Sequence, residues 1–166
     1  MIFLVGLPGS GKSTVGRQLA RRLDLGFTDS DQVIEQQIGC AIRDFFAREG
    51  EAAFRDIEEA VIAQLAASHK GVLATGGGAV LREANRSRLR AAGQGFYLQA
   101  TPEELYRRLR HDKNRPLLQV DDPLQKLRAL YQERDPLYRE AAHLTIETDR
   151  PSVQAMVKAI MAHAQH

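Results

Sequence analysis

Gly6-Leu7-Pro8-Gly9-Ser10-Gly11-Lys12-Ser13-Thr14 stands five residues into the chain, and the rest of the sequence is read outward from it. A glycine, four residues, then glycine–lysine–serine is the spacing of a phosphate-binding loop. The flanks supply the context such a loop needs. Ile2-Phe3-Leu4-Val5 is a short apolar, partly β-branched run that reads as a buried strand, and residues 14–23 carry apolar side chains at helical spacing. Gly6, Gly9 and Gly11 let backbone N–H groups turn inward around a phosphate without Cβ clashes. The following helix aims the positive end of its dipole at the same point. Lys12 is placed to reach the terminal phosphates and the Ser13 hydroxyl to bind Mg²⁺. The expected ligand is a nucleoside triphosphate.

Size and composition bound what surrounds this loop. At 166 residues, 43% hydrophobic and 27% charged, the chain suits one α/β domain with a proper core. A net charge of +2 without any long like-charge block gives no reason to propose nucleic acid, and with no Trp and four Tyr there is no stacking stripe. The single cysteine, Cys40, excludes an internal disulfide framework and fits a reducing cytoplasm. The apolar opening lacks a basic n-region and is too short for a signal peptide, and no later stretch approaches a membrane span. A cytoplasmic protein with no membrane contact is expected.

Further along, Gly26 reads as a cap or turn closing the first helix. Residues 25–28 form a short strand leading into Asp29-Ser30-Asp31. Acids just past a strand end sit where such sheets hold ligands. Ser30 reads as the cap of helix 32–38, and the two aspartates as functional, since Mg²⁺ and a substrate hydroxyl both call for carboxylates. A helix carrying Ile42, Phe45 and Phe46 ends at Gly50. A longer one over 51–68 buries Ala53, Ile57, Val61, Ile62 and Leu65. On spacing alone Arg55 is a solvated surface group of that helix.

Strand 72–75 runs straight into Gly76-Gly77-Gly78, a costly run in backbone entropy that suggests close approach to a ligand. Thr101-Pro102-Glu103-Glu104 is a capping-box helix start, and Asp122-Pro123 begins another helix that Pro136 is expected to break or kink. Between these two helices, the polar segment 111–121 is a lid or a surface loop on composition alone. Residues 96–99, before the Thr101 helix start, form a fourth strand, 144–147 a last strand and 153–163 a closing helix. Five strands alternating with helices predict a parallel sheet with helices on both faces, in a single domain over 1–166. Residues 32–60 make a helical insertion after the second strand.

Taken together these motifs resemble the shikimate kinases, essentially end to end. The resemblance rests on Gly6-x-x-Gly9-x-Gly11-Lys12-Ser13-Thr14-Val15-Gly16, Phe27-Thr28-Asp29-Ser30-Asp31, and Gly50-Glu51-x-x-Phe54-Arg55-x-x-Glu58. It continues through Thr75-Gly76-Gly77-Gly78, Asn114-Arg115-Pro116-Leu117-Leu118, and Glu133-Arg134-x-Pro136-Leu137-Tyr138. It implies a three-layer P-loop kinase fold with a substrate-binding helical insertion and a lid. The implied reaction moves the γ-phosphate of ATP to the 3-hydroxyl of shikimate, with Mg²⁺, on the route to chorismate and the aromatic amino acids.

The same resemblance implies roles. Arg55 and Arg134 grip the substrate carboxylate, a task for a guanidinium fork rather than lysine. Asp31 binds ring hydroxyls and orients or deprotonates the attacking oxygen, and Gly76, Gly77 and Gly78 donate to the substrate. Asp29 joins Ser13 at Mg²⁺. Gly9, Ser10, Gly11, Lys12, Ser13 and Thr14 cradle the nucleotide. Arg115 on the lid joins Lys12 in stabilising the transferring phosphoryl group, and Arg108 and Arg150 flank the adenine. A monomer is expected. The alternative is a related kinase of another hydroxy acid such as gluconate. A guanine-reading Asn-Lys-x-Asp element is not supplied by Asp112-Lys113-Asn114, which argues against a GTPase switch.

Overall fold

All four side chains of the first strand, β1 (Ile2–Val5), are buried, as in a strand covered on both faces. The computed structural model describes residues 1–110, 120–148 and 152–164. In it β1 lies at the centre of a five-stranded parallel sheet with β2 (Phe27–Asp29), β3 (Val72–Ala74), β4 (Gln94–Gln99) and β5 (Leu144–Glu147), in the order β2-β3-β1-β4-β5. Leu4 sits opposite Ala74 on one side and Phe96 on the other.

Alternation along β1 divides the core. Phe3 and Val5 join Leu73 and Tyr97 against α4 (Glu51–Ser68), α5 (Glu83–Ala92) and α7 (Pro123–Ala141), through Ile62, Leu89, Leu127 and Tyr138. Ile2 and Leu4 turn the other way, with Phe96 and Leu98, onto Val15 and Leu19 of α1 (Lys12–Leu23) and Val157 and Ile160 of α8 (Val153–His163). A third cluster, Ile34, Phe54 and Val61, ties α2 (Ser30–Ile38) to α4, with Ile42 and Phe45 of α3 (Ile42–Glu49) packed on it. Helix α6 (Pro102–Leu109) follows β4, and its Thr101 cap accepts from the Glu104 N–H at 3.2 Å, as the sequence predicts.

Three local expectations need correction. Helix α1 is capped by Asp24, left-handed at φ 55°, rather than by Gly26; a short acidic side chain is among the few that tolerate this region. Ser30 is not the cap of α2 but its first helical residue, because Asp29 takes the cap position and its carboxylate accepts from the Asp31 and Gln32 N–H groups. Of the break or kink expected at Pro136, the break does not occur, since α7 continues through it to Ala141. Both Pro136 and Gln132 are exposed, so the carbonyl that proline leaves without a donor can be hydrated instead.

The chain order explains where a ligand fits. From β1 the chain moves to one side for β2 and β3, then returns to the other side for β4 and β5. The carboxyl ends of β1 and its neighbours therefore open onto a crevice at the switch in direction, which is the binding position of open α/β sheets. The loops after β1 and β3 are the two glycine-rich stretches of the sequence.

Candidate active site

The loop after β1 has the shape its glycines allow. Gly9 and Gly11 are left-handed, at φ 86° and 97°, which side chains other than glycine's adopt at a cost. The Ser10 N–H donates to the Leu7 carbonyl at 3.1 Å, closing the turn. Lys12, largely buried, donates from Nζ to the Gly6 carbonyl at 2.6 Å and the Leu7 carbonyl at 3.0 Å. No acid lies in the first turn of α1 to offset its dipole, so the amino end favours an anion. Thr14 follows on the exposed side of that turn.

Asp29 connects this loop to the next element. Its Oδ2 accepts the Ser13 hydroxyl at 2.7 Å, while Oδ1 accepts the Asp31 N–H at 2.9 Å. One carboxylate therefore caps α2 and faces the phosphate loop. A serine hydroxyl touching a carboxylate is a fitting oxygen donor set for Mg²⁺, which keeps waters and takes further ligands from phosphates. Among the described residues no group of three or more His, Cys, Asp or Glu forms a dedicated metal cage.

Asp31, two residues on, lies against the loop after β3. A Cβ on Gly76 would collide with its carboxylate. Burial, chiefly, pushes its carboxyl up to about 6, helped by the charges of Asp29 and Glu58 and opposed by Lys12. That places it near the pH at which a general base works best.

The glycine run is held on both sides. Ser30 Oγ accepts the Gly76 N–H at 3.1 Å, and Tyr138 donates its hydroxyl to the Gly77 carbonyl at 2.6 Å. Arg55 covers Gly78, where a Cβ would strike its guanidinium. Arg55 is therefore not the surface residue its spacing suggests: its side chain is 12% exposed and pairs with Glu58 at 2.8 Å, whose side chain is 1% exposed. Burial raises the Glu58 carboxyl, and Arg55 and then Arg134 oppose that shift. Nε of Arg55, Nε of Arg134 and the second Glu58 oxygen are buried without hydrogen-bond partners. Two guanidiniums with spare donors beside one shared acid leave net positive charge for an incoming carboxylate.

Arg108 is tied to the phosphate loop. It donates to the Gly9 carbonyl at 3.3 Å and to the Thr148 carbonyl, just past β5, at 2.6 Å. Arg115 and Arg150, with most of the expected lid, lie outside the described residues. Three residues of the pocket had no role in the sequence reading: Ser30 as a loop anchor, Glu58 and Tyr138. The last two stand three residues after Arg55 and four after Arg134, the helical spacing that puts side chains together.

A phosphate loop at the switch point, faced by a buried carboxylate and paired arginines, defines a phosphate-loop kinase of small molecules. Comparison with known proteins narrows this. A family model described as shikimate kinase matches residues 8–165, and the chain belongs to that family. The shikimate kinase of Paracidovorax citrulli is 62% identical over 162 residues, covering 96% of this chain and 88% of that one. That of Burkholderia pseudomallei strain 1710b is 56% identical over 160 residues, covering 96% and 87%. Among solved structures, shikimate kinase from Acinetobacter baumannii in complex with shikimate matches with a TM-score of 0.92 at 48% identity, over 96% of this chain and 89% of that one. A gluconokinase from Sinorhizobium meliloti 1021, at a TM-score of 0.60 and 18% identity, shares the fold.

Proposed function

We infer that this protein transfers the γ-phosphoryl group of ATP to the 3-hydroxyl of shikimate, giving shikimate 3-phosphate and ADP. The observation that supports it best is the arrangement around Gly76–Gly78, with the Asp31 carboxylate against one glycine and the Arg55 guanidinium against another. A ring bearing hydroxyls on one edge and a carboxylate on the other meets complementary groups on both.

In this reading Arg55 and Arg134 take the carboxylate by paired N–H donors, and Glu58 holds Arg55 in place for it. Asp31 accepts a hydrogen bond from the attacking hydroxyl and takes its proton as the new P–O bond forms. Lys12 moves from the loop carbonyls to the transferring phosphoryl oxygens, where positive charge stabilises the transition state. Gly9, Ser10, Gly11, Ser13 and Thr14 hold the remaining phosphates through the loop and the amino end of α1. Ser13 and Asp29 would hold Mg²⁺, which would neutralise phosphate charge during transfer. Arg115 and Arg150 enter by resemblance, at the phosphoryl group and the adenine, and Arg108 with them at the adenine.

Every group assigned above comes from one chain, so a monomer suffices. A cytoplasmic setting suits an ATP-consuming enzyme with a free Cys40. Among the described residues no helix is long and apolar enough to cross a membrane.

The test is ADP release from purified protein with Mg-ATP, alone and with shikimate or gluconate. Strong stimulation by shikimate and none by gluconate is the expected outcome. Turnover on gluconate, or on neither, would remove the roles given to Asp31, Arg55 and Arg134.

A further inference from the structure

Tyr138 is fully buried on α7, one turn after Arg134, and its ring packs against Tyr97, with centroids 4.9 Å apart and planes tilted by 37°. Its hydroxyl reaches across to the Gly77 carbonyl, 61 residues away in sequence, at 2.6 Å. The other two carbonyls of the glycine run are held by backbone. Gly76 accepts from the Ala79 N–H at 3.0 Å and Gly78 from the Leu81 N–H at 3.1 Å. Only the middle carbonyl depends on a side chain for its orientation. The N–H groups of Gly77 and Gly78 donate to no atom among the described residues.

We propose that Tyr138 is a positioning residue for the hydroxy-acid substrate. Its hydroxyl fixes the Gly77–Gly78 peptide unit, so that the Gly78 N–H, on the far side of that peptide from the pinned carbonyl, is presented in one orientation beside the Gly77 N–H, whose own peptide the Ala79 N–H already holds. A glycine pair samples several backbone wells of similar energy. Without the pin, substrate binding would have to order the loop as well as fill it. Tyr138 also lies beside Arg134, whose positive charge works against the upward push that burial gives the phenol. One side chain thereby ties the glycine donors to an arm of the carboxylate clamp.

On the substrate reading given above, Tyr138→Phe removes the hydroxyl while keeping the ring and its packing against Tyr97. Tyr97→Phe is the matched control. It deletes a neighbouring hydroxyl, bonded to Asp135 at 2.8 Å, without touching the glycine run. Steady-state constants for shikimate and for ATP, with thermal melting, are measured on the parent and both variants. Tyr138→Phe is expected to raise the shikimate KM about tenfold, the scale of one well-placed hydrogen bond, with kcat within about twofold and the ATP KM unmoved. Tyr97→Phe should lower the melting temperature about as much as Tyr138→Phe does and leave the shikimate KM at the parent value. A shikimate KM unchanged in Tyr138→Phe overturns the proposal, as does a parallel rise for both substrates or an equal rise in Tyr97→Phe. A parent protein with no shikimate-dependent ADP release overturns the substrate reading and this role together.

Discussion

The phosphate loop and the acid pocket stand side by side yet are built by opposite means. The loop is one run of nine residues, and Lys12 bonds to carbonyls five and six positions before it. The pocket is drawn from α2, α4, the loop after β3, and α7; Ser30 meets Gly76 46 positions away and Tyr138 meets Gly77 61 positions away. The first is organised mainly by local backbone geometry. The second exists only once the sheet and its covering helices are packed. Binding of nucleotide should therefore be separable from binding of the hydroxy acid.

The largest effects are expected at Lys12 and Asp31, the two groups proposed above to act on the transferring phosphoryl group and on the attacking hydroxyl. Lys12→Met and Asp31→Asn should each lower kcat by about 10³-fold, the scale of one lost charge or base in a transition state. They part in their stability. Asp31 has a folded pKa of about 6 against an ordinary 3.8. Its folded form binds a proton more tightly than its unfolded form, so this carboxyl weakens the fold as pH rises from about 4 to 6, and fully above 6. At pH 8 Asp31→Asn should thus melt higher, by about 3 °C for a gain on the order of 1 kcal/mol. The same group predicts a parent kcat/KM that falls tenfold per unit below pH about 6. A flat profile down to pH 5, or an Asp31→Asn protein with near-parent turnover, would remove the base from the pocket.

Next in size is the clamp. Arg134→Lys keeps the charge and loses the fork, and should raise the shikimate KM by about 10- to 100-fold with ATP binding unaffected. Arg55→Ala should weaken binding of the same ligand but also strands Glu58, whose side chain is 1% exposed, and breaking such a pair costs about 3–5 kcal/mol. Adding Glu58→Gln should restore much of the melting temperature and none of the shikimate affinity. If the double variant recovered affinity too, Arg55 would be a structural partner of Glu58 rather than a hand on the substrate.

This contrast also explains what could be read from the sequence. Period and punctuation gave the five strands, the Thr101 cap and the phosphate loop, because each depends on residues within a turn of one another. Arg55 could not be placed that way. Its helix is amphipathic in the ordinary sense, yet its position points into a second interface made with Gly78, and only the family motif marked it. Tyr138 was harder still, since a buried tyrosine at the end of a helical stripe looks the same whether its hydroxyl anchors a loop or merely finds a carbonyl. Asp29 took the cap expected of Ser30 while still facing Ser13, because a strand end and a helix start share one residue and either oxygen suits the cap.

Arg108 is where the contrast is least sharp. The phosphate loop is not wholly self-sufficient, for this α6 side chain spans from the Gly9 carbonyl to the Thr148 carbonyl beyond β5, and Leu109 fills the space beside Gly9. Glu104 steadies the guanidinium at 3.4 Å. Arg108→Gln keeps a donor but shortens the reach, so it should loosen the loop's position without unmaking its turn. A three- to tenfold rise in the ATP KM is expected, on the scale of a neutralised charge-assisted hydrogen bond, with the shikimate KM unchanged. A larger effect on shikimate than on ATP would mean that α6 governs closure over both ligands and that the two halves are coupled through it.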